Sequence, residues 1–193
     1  MEDFDVWVVT DAGRWSRCRG LIVEEASDEG DEWRMTIMQD GSSLVDERVP
    51  KRTWEAVEVL ACGICGTDVA SFQGFLPFSF PLVIGHEVVA SLSINGKETR
   101  FLVEINVSHW SQDLPNRCGW CQESQECSIK GASGLQIHCP VRRTIGIDRI
   151  VGGTSPFMLV PKRCLVPIPE DCTLSNDVLC LCEPLAAAIQ AIK

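Results

Sequence analysis

The chain has 193 residues, a formal net charge of −10, 45% apolar and 23% charged residues, a composition that excludes a disordered or collagen-like chain and fits one domain around one buried core. No apolar run approaches the roughly 18 residues of a membrane-spanning helix, and the acidic start Met1-Glu2-Asp3 lacks the basic head of a secretory or transit segment, which predicts a cytoplasmic protein with no membrane partner. Residues 1–33 carry ten acidic residues against three arginines, and residues 34–193 carry 17 against 14 basic ones, a balance that disfavours nucleic acid as a partner.

In chain order, the acidic leader alternates apolar residues over Phe4–Val9 and holds an apolar run at Leu21-Ile22-Val23, then turns acidic from Glu24 to Glu32. This reads as two short strands and a solvated turn. From Trp33 a β-rich body begins: Arg34–Met38 alternates, Asp40-Gly41 supplies a turn, Pro50 interrupts, and Glu55–Ala61 alternates again. Further strands are expected at Leu82–Ile84, at Val88–Ile94 before the Asn95-Gly96 turn, and at Arg100–Val107, Phe157–Val160 and Leu165–Ile168. Many short strands separated by Gly, Asn and Pro predict a barrel or sandwich. Residues 108–140 have no sustained period and hold four cysteines, the mark of a lobe that needs its own staple. After Thr173 and Ser175, either a possible cap, Glu183-Pro184-Leu185-Ala186-Ala187-Ala188-Ile189 reads as a helix start with Pro in the first turn.

Eleven cysteines are too sparse for a disulfide scaffold and, in a reducing compartment, ask for metal. The most informative stretch is Cys62-Gly63-Ile64-Cys65-Gly66-Thr67-Asp68, followed by Gly85-His86-Glu87. Thiolate and imidazole suit a borderline-soft ion such as zinc, and a nearby carboxylate can complete or tune the site. Each residue also has a plainer reading. Asp68 could cap a helix, Thr67 could be a surface hydroxyl, and Glu183 could be a first-turn helix acid.

Together with Phe80-Pro81-Leu82-Val83-Ile84-Gly85-His86-Glu87, Val103-Glu104-Ile105-Asn106, His138-Cys139-Pro140, Gly146-Ile147 and the Glu183-Pro184-Leu185-Ala186 helix, that stretch resembles the catalytic domain of the zinc-dependent medium-chain alcohol dehydrogenases, on the polyol, threonine and glucose dehydrogenase side. The resemblance runs from about Arg34 to the end of the chain. It implies a mainly β fold with short helices, a GroES-like partly open β-barrel with a zinc-binding lobe. It also implies Cys65, His86 and Glu183 as ligands of a catalytic zinc. Glu87 would be the carboxylate behind the metal, Asp68 the acid that holds the other ring nitrogen of His86, and Thr67 the hydroxyl that passes the substrate proton outward. Cys182 is the alternative third ligand if the alignment shifts by one residue.

A second, structural zinc is expected at Cys118-x2-Cys121-x5-Cys127-x11-Cys139, four thiolates in an irregular lobe. The spacing departs from the family's, so that either Cys127 replaces a cysteine that would fall at Pro115 or the four bind in order with longer loops. For Cys18, Cys62, Cys164, Cys172 and Cys180 the expected role is packing, and for His109 a surface or core role.

The expected layout is an acidic extension at 1–33, the GroES-like catalytic domain at 34–185 including the lobe at 108–140, and at 186–193 the start of a helix leading toward a Rossmann domain that these residues do not contain. Val151-Gly152-Gly153-Thr154 is not a dinucleotide fingerprint. The function expected is oxidation of an alcohol or polyol, with NAD(P) supplied by the missing domain; the expected partners are the small alcohol or polyol and either a second copy of the chain or a separate nucleotide-binding subunit. The alternative is a stand-alone, non-enzymatic zinc-binding module acting through protein contacts.

Overall fold

The computed structural model describes residues 2–11, 13–26, 30–76, 80–115, 118–121, 138–148 and 150–192. A first antiparallel sheet is a plain meander of β1 (Glu2–Asp11), β2 (Arg14–Glu25), β3 (Glu32–Gln39) and β4 (Ser42–Pro50). Asp40 and Gly41 join β3 to β4 with φ of 48° and 79°, the double left-handed geometry that an Asp-Gly hairpin selects. The second sheet combines β5 (Trp54–Gly63), β6 (Glu87–Ile94), β7 (Lys97–Val103), β10 (Phe157–Pro161) and β11 (Leu165–Pro167), in the order β10-β5-β6-β7-β11. A short ladder pairs β8 (Asn106–Val107) with β9 (Arg143–Thr144). The described chain also carries the helices α1 (Gly66–Phe72), α2 (Asn176–Cys180) and α3 (Cys182–Ile192) and a 3-10 turn at Lys162–Cys164.

The acidic leader is built into this body. Along β1, Phe4, Val6 and Val8 turn inward while Asp3, Asp5 and Trp7 face out, the period-two pattern of a half-buried strand. The inward residues join one core cluster with Ile22, Met35 and Ile37 of the same sheet and Trp54, Val57, Val88, Met158 and Leu159 of the other. The Phe4 ring lies across Gly20, its cross-strand partner, and against Phe157 of the second sheet at 5.4 Å between centroids. The outward acids are paired: Asp5 with Arg17, Asp3 with Arg19, Glu24 with Lys51, Glu25 with Arg34 and Arg48. Exposed pairs of this kind are screened by solvent and contribute little, so the leader is held by its apolar face. Residue 34 lies inside β3, and the meander runs across it without interruption.

Two expected strands differ. Leu82–Ile84 is a buried strap carrying a single bridge to Val9. The run Arg100–Val107 breaks after Val103 and resumes at Asn106 in the separate β8–β9 ladder, with Oε1 of Glu104 accepting the Asn106 backbone N–H at 2.9 Å across the break.

Glu47 of β4 is half-buried and lines a cleft of about 430 Å³ with Trp54, Gln112 and Arg143. Burial pushes its carboxyl up to about 7, against the opposing charge of Arg143. An acid whose folded pKa lies above its unfolded value binds more protons when folded, so stability falls as pH rises between the two values and stays reduced above about 7. Glu47→Gln is expected to raise the thermal midpoint at about pH 8 and leave it unchanged at about pH 4. Equal effects at both pH values in a thermal melt would refute the assignment.

Candidate active site

The chemistry-bearing residues meet at one end of the second sheet, where β5 finishes at Gly63, α1 begins, and β6 starts at Glu87. Cys65 is the N-cap of α1 in extended conformation, and its Sγ accepts the Thr67 backbone N–H at 3.2 Å. Asp68 closes the reciprocal half of a capping box, its Oδ2 accepting the Cys65 N–H at 2.9 Å. The plainer reading of Asp68 as a helix-capping residue therefore holds. The same carboxylate does more: it is 1% exposed, and Oδ1 accepts the Gly85 N–H at 3.1 Å and faces Nδ1 of His86 at 3.4 Å.

His86 is 5% exposed, and among the described residues its buried Nδ1 has no partner nearer than this carboxylate. The carboxylate assigns the ring proton to Nδ1 and leaves a lone pair on Nε2. Nε2 lies 3.1 Å from Sγ of Cys65. Cys65, Asp68 and His86 offer ligand atoms that all lie within 4.8 Å of one another. Burial works against a charged His86, but the hydrogen bond and charge of Asp68, with Glu183 and Glu87 adding to them, raise its pKa above the ordinary value. Burial likewise opposes ionisation of Asp68, yet His86 and the Cys65 N–H hold its pKa below the usual carboxylate range.

The segment that delivers His86 is clamped on both sides. Val9 of β1 exchanges two backbone hydrogen bonds of 2.9 Å with Leu82. On the other side the N–H groups of Gly152, Gly153 and Thr154 donate to the carbonyls of Val83, Gly85 and Ile84 at 2.9, 2.9 and 3.1 Å. Gly146 has φ of 68°, and a Cβ there would stand 2.1 Å from the Gly85 carbonyl oxygen. The leader also reaches α1, where Gly13 N–H donates to Phe72 O at 2.5 Å and Trp15 packs on the Phe72 ring. Sequence reasoning missed these supports; the glycines at 146, 152 and 153 were their only visible signal.

Glu87, 7% exposed, opens β6 opposite Gly63, and its Oε2 occupies the space a Cβ at residue 63 would fill. Thr67 is half-buried on the first turn of α1. Glu183 is half-buried at the start of α3, outside the three-residue cluster but close enough for the His86 charge to act on it. Burial chiefly, with Glu87 and Glu104 adding charge, raises its pKa above the usual range. Cys182 packs instead against the apolar cluster of Val89, Ile168, Leu179 and Cys180.

With this geometry in place the relatives can be read. Residues 51–170, more than half of the chain, match the alcohol dehydrogenase GroES-like domain. The chain belongs to that family. It is 26% identical to L-galactonate-5-dehydrogenase of Escherichia coli over 75% of this chain and 39% of that protein, and 26% identical to sorbitol dehydrogenase of Arabidopsis thaliana over 71% and 36%. The fold superposes on a candidate zinc-binding dehydrogenase of Sinorhizobium meliloti, solved with bound NADP, at a TM-score of 0.65 and 24% identity, covering 100% of this chain and 45% of that one. The chain thus spans less than half the length of the relatives it matches.

The GroES-like domain carries a second cluster in the lobe. Ligand atoms of His109, Cys118, Cys121 and Cys139 lie within 4.8 Å of one another. Nδ1 of His109 stands 3.3 Å from Sγ of Cys139, and the Cys121 N–H donates to the Cys118 carbonyl at 2.9 Å. Burial works to raise the Cys118 thiol, but hydrogen bonds from the Cys121 N–H, His109 and the neighbouring thiols bring it down to about 7. His109, expected in a surface or core role, is half-buried beside Cys139 in this cluster, and Cys127 lies outside the described residues. Burial pushes the thiols of Cys62 and Cys164 up to about 12, which keeps them protonated and fits the packing role expected of them. No helix among the described residues is long and apolar enough to cross a membrane.

Proposed function

We propose that this GroES-like domain is the zinc-binding catalytic half of an NAD(P)-dependent dehydrogenase acting on the CH–OH group of a small alcohol or polyol. The observation that carries the reading is the approach of Cys65 Sγ and His86 Nε2 to 3.1 Å with the buried Asp68 carboxylate behind the ring. A thiolate and a neutral imidazole, oriented by a carboxylate on the far nitrogen, are the donor chemistry of a zinc site, so the residues fit the metal. Cys65 and His86 would hold it, with Glu183 as the third protein ligand and Glu87 as the carboxylate behind. When bound, zinc supplies a Lewis acid that polarises the alcohol oxygen.

The protein's own groups do the rest. Asp68 keeps the Nδ1 proton in place and so keeps the Nε2 lone pair available. Its bond to the Gly85 N–H fixes the backbone from which His86 projects. The Thr67 hydroxyl takes the alcohol proton and passes it toward solvent. The nicotinamide is brought by a nucleotide-binding unit that covers α3, a placement supported by the exposed Leu185, Ile189 and Ile192, which recur at helical spacing on one face. The sugar-acid and polyol names of these two relatives put polyhydroxylated compounds on the substrate panel.

The test joins the chain to a doubly wound nucleotide-binding domain and follows reduced nicotinamide over a panel of alcohols and polyols with NAD+ and NADP+. Turnover that zinc chelation abolishes and zinc restores is expected. Zinc binding without turnover on any substrate would favour the non-enzymatic alternative, in which the apolar face of α3 binds another protein.

A further inference from the structure

We infer that Arg100 of β7 is a positioning residue for the proposed zinc site: its guanidinium ties down the segment 172–176 and so sets where α3 presents Glu183 to Cys65 and His86. The guanidinium donates three hydrogen bonds into that one segment. Nη2 bonds the Cys172 carbonyl at 2.8 Å, and Nη1 bonds the Leu174 carbonyl at 3.1 Å and Asn176 Oδ1 at 2.9 Å. All three acceptors are neutral oxygens, so charge pairing does not explain the placement; a planar fork with donors in fixed directions does. Residues 172–175 belong to no helix or strand, and the hydroxyl of Ser175, the N-cap of α2, makes no capping bond. The backbone there has neither a ladder nor a side-chain cap of its own to fix it.

The segment opens directly onto the site. α2 starts at Asn176, and its buried Leu179 and Cys180 pack against Val89 of β6. One residue, Leu181, separates α2 from α3, and its carbonyl accepts the Leu185 N–H at 3.0 Å, which joins the two helices without slack. Glu183 therefore stands only about two helical turns beyond the Arg100 bond to Asn176. It is close enough to His86 for the charge of each to act on the other. Apolar burial of Leu179 and Cys180 is non-directional and tolerates a slide or rotation of α2. Directed bonds to one rigid fork do not. Arg100 is itself fixed in the sheet: it lies opposite Ser91 of β6, and its carbonyl accepts the Ile168 N–H at 3.0 Å. Because β6 begins at Glu87, beside His86, the clamp references α3 to the same strand that follows the histidine.

The role of Arg100 rests on Glu183 being the third ligand, as proposed, and the test separates the two claims. Zinc affinity is measured by competition against a chromophoric chelator for the full chain, Glu183→Gln, Arg100→Lys and the double variant, with Cys65→Ser marking the signal that belongs to this site. Lys keeps the charge, but one ammonium cannot reproduce the fork that spans three acceptors. Arg100→Lys is expected to weaken zinc about 10-fold, the lower end of what loss of an outer partner of a ligand costs, and Glu183→Gln by at least as much. In the double variant Arg100→Lys adds less than about twofold, because a residue that acts only through Glu183 has nothing left to position. Should Arg100→Lys fail to fold, Asn176→Ala takes its place: it removes one acceptor where Ala favours the helix, and it should weaken zinc in the same Glu183-dependent way. Parent affinity in Glu183→Gln would overturn the ligand reading and the role of Arg100 together. Weakened zinc in Glu183→Gln, with parent affinity in the clamp variant or with losses that multiply in the double variant, would overturn the role of Arg100 alone.

Discussion

Cys65→Ser and His86→Ala will each remove about one zinc equivalent while leaving the far-ultraviolet circular dichroism and the cooperative melt of the parent in place. The reasoning separates metal from fold residue by residue. Cys65 is the N-cap of α1 and its side chain accepts the Thr67 N–H. Ser is among the best N-cap residues, so Cys65→Ser keeps the helix start, whereas an uncapped substitution would cost about 0.5–2 kcal/mol. What Ser cannot supply is a thiolate. His86→Ala removes the only described imidazole in the cluster and leaves Asp68 with its Cys65 and Gly85 backbone bonds.

Asp68→Asn tests the carboxylate behind the ring. An amide can still accept one backbone N–H, but it no longer stabilises the Nδ1 proton, and loss of such a partner costs about 10–100-fold in metal affinity. Zinc competition against a chromophoric chelator reads this directly. Unchanged affinity in Asp68→Asn would reduce the residue to its capping role, and unchanged zinc in both Cys65→Ser and His86→Ala would end the case for a metal at this end of the sheet.

The parts of the site written in contiguous residues were legible before any coordinates. Cys62–Asp68 and Gly85–Glu87 are short stretches whose spacing is fixed by one strand end, one helix cap and one strand start, and the structure brings Cys65, Asp68 and His86 together. The hairpins at Asp40-Gly41 and Asn95-Gly96 were legible for the same reason, since the turn residues themselves demand positive φ. What stayed hidden depends on long-range meetings. His109 reaches Cys139 across 30 positions, and nothing in its immediate neighbours announces that meeting. The leader's alternation over Phe4–Val9 announces a strand, while its charge, which marks it as an extension, sits on the outward face of β1 and β2. The inward face, alternating every second residue, decides where the strands go. Position 146 shows as a glycine in the sequence, but its cost can be seen only when the Gly85 carbonyl is placed beside it.

Gly146→Val is therefore expected to have an effect out of proportion to its distance in sequence from the metal. The backbone at residue 146 has φ of 68°, which costs a β-branched residue about 1–3 kcal/mol. The new Cβ would also lie 2.1 Å from the Gly85 oxygen and 2.7 Å from its carbonyl carbon, and relief of such overpacking costs about 1–3 kcal/mol more. The obstructing atoms are backbone, so the strain cannot be shed by turning a side chain. It must move Gly85, which is bonded to Asp68 through its N–H and precedes His86 in the chain. Both a lower unfolding midpoint and weaker zinc at the Cys65–His86 site follow. Gly13→Val is the control: its φ of 72° imposes comparable backbone strain, but a Cβ there meets nothing within 4 Å. Stability should fall in both variants, and zinc affinity only in Gly146→Val. If the two variants lose stability alike and both bind zinc as the parent does, the strap from Leu82 to Gly85 is a packing element and not the support that sets the position of His86.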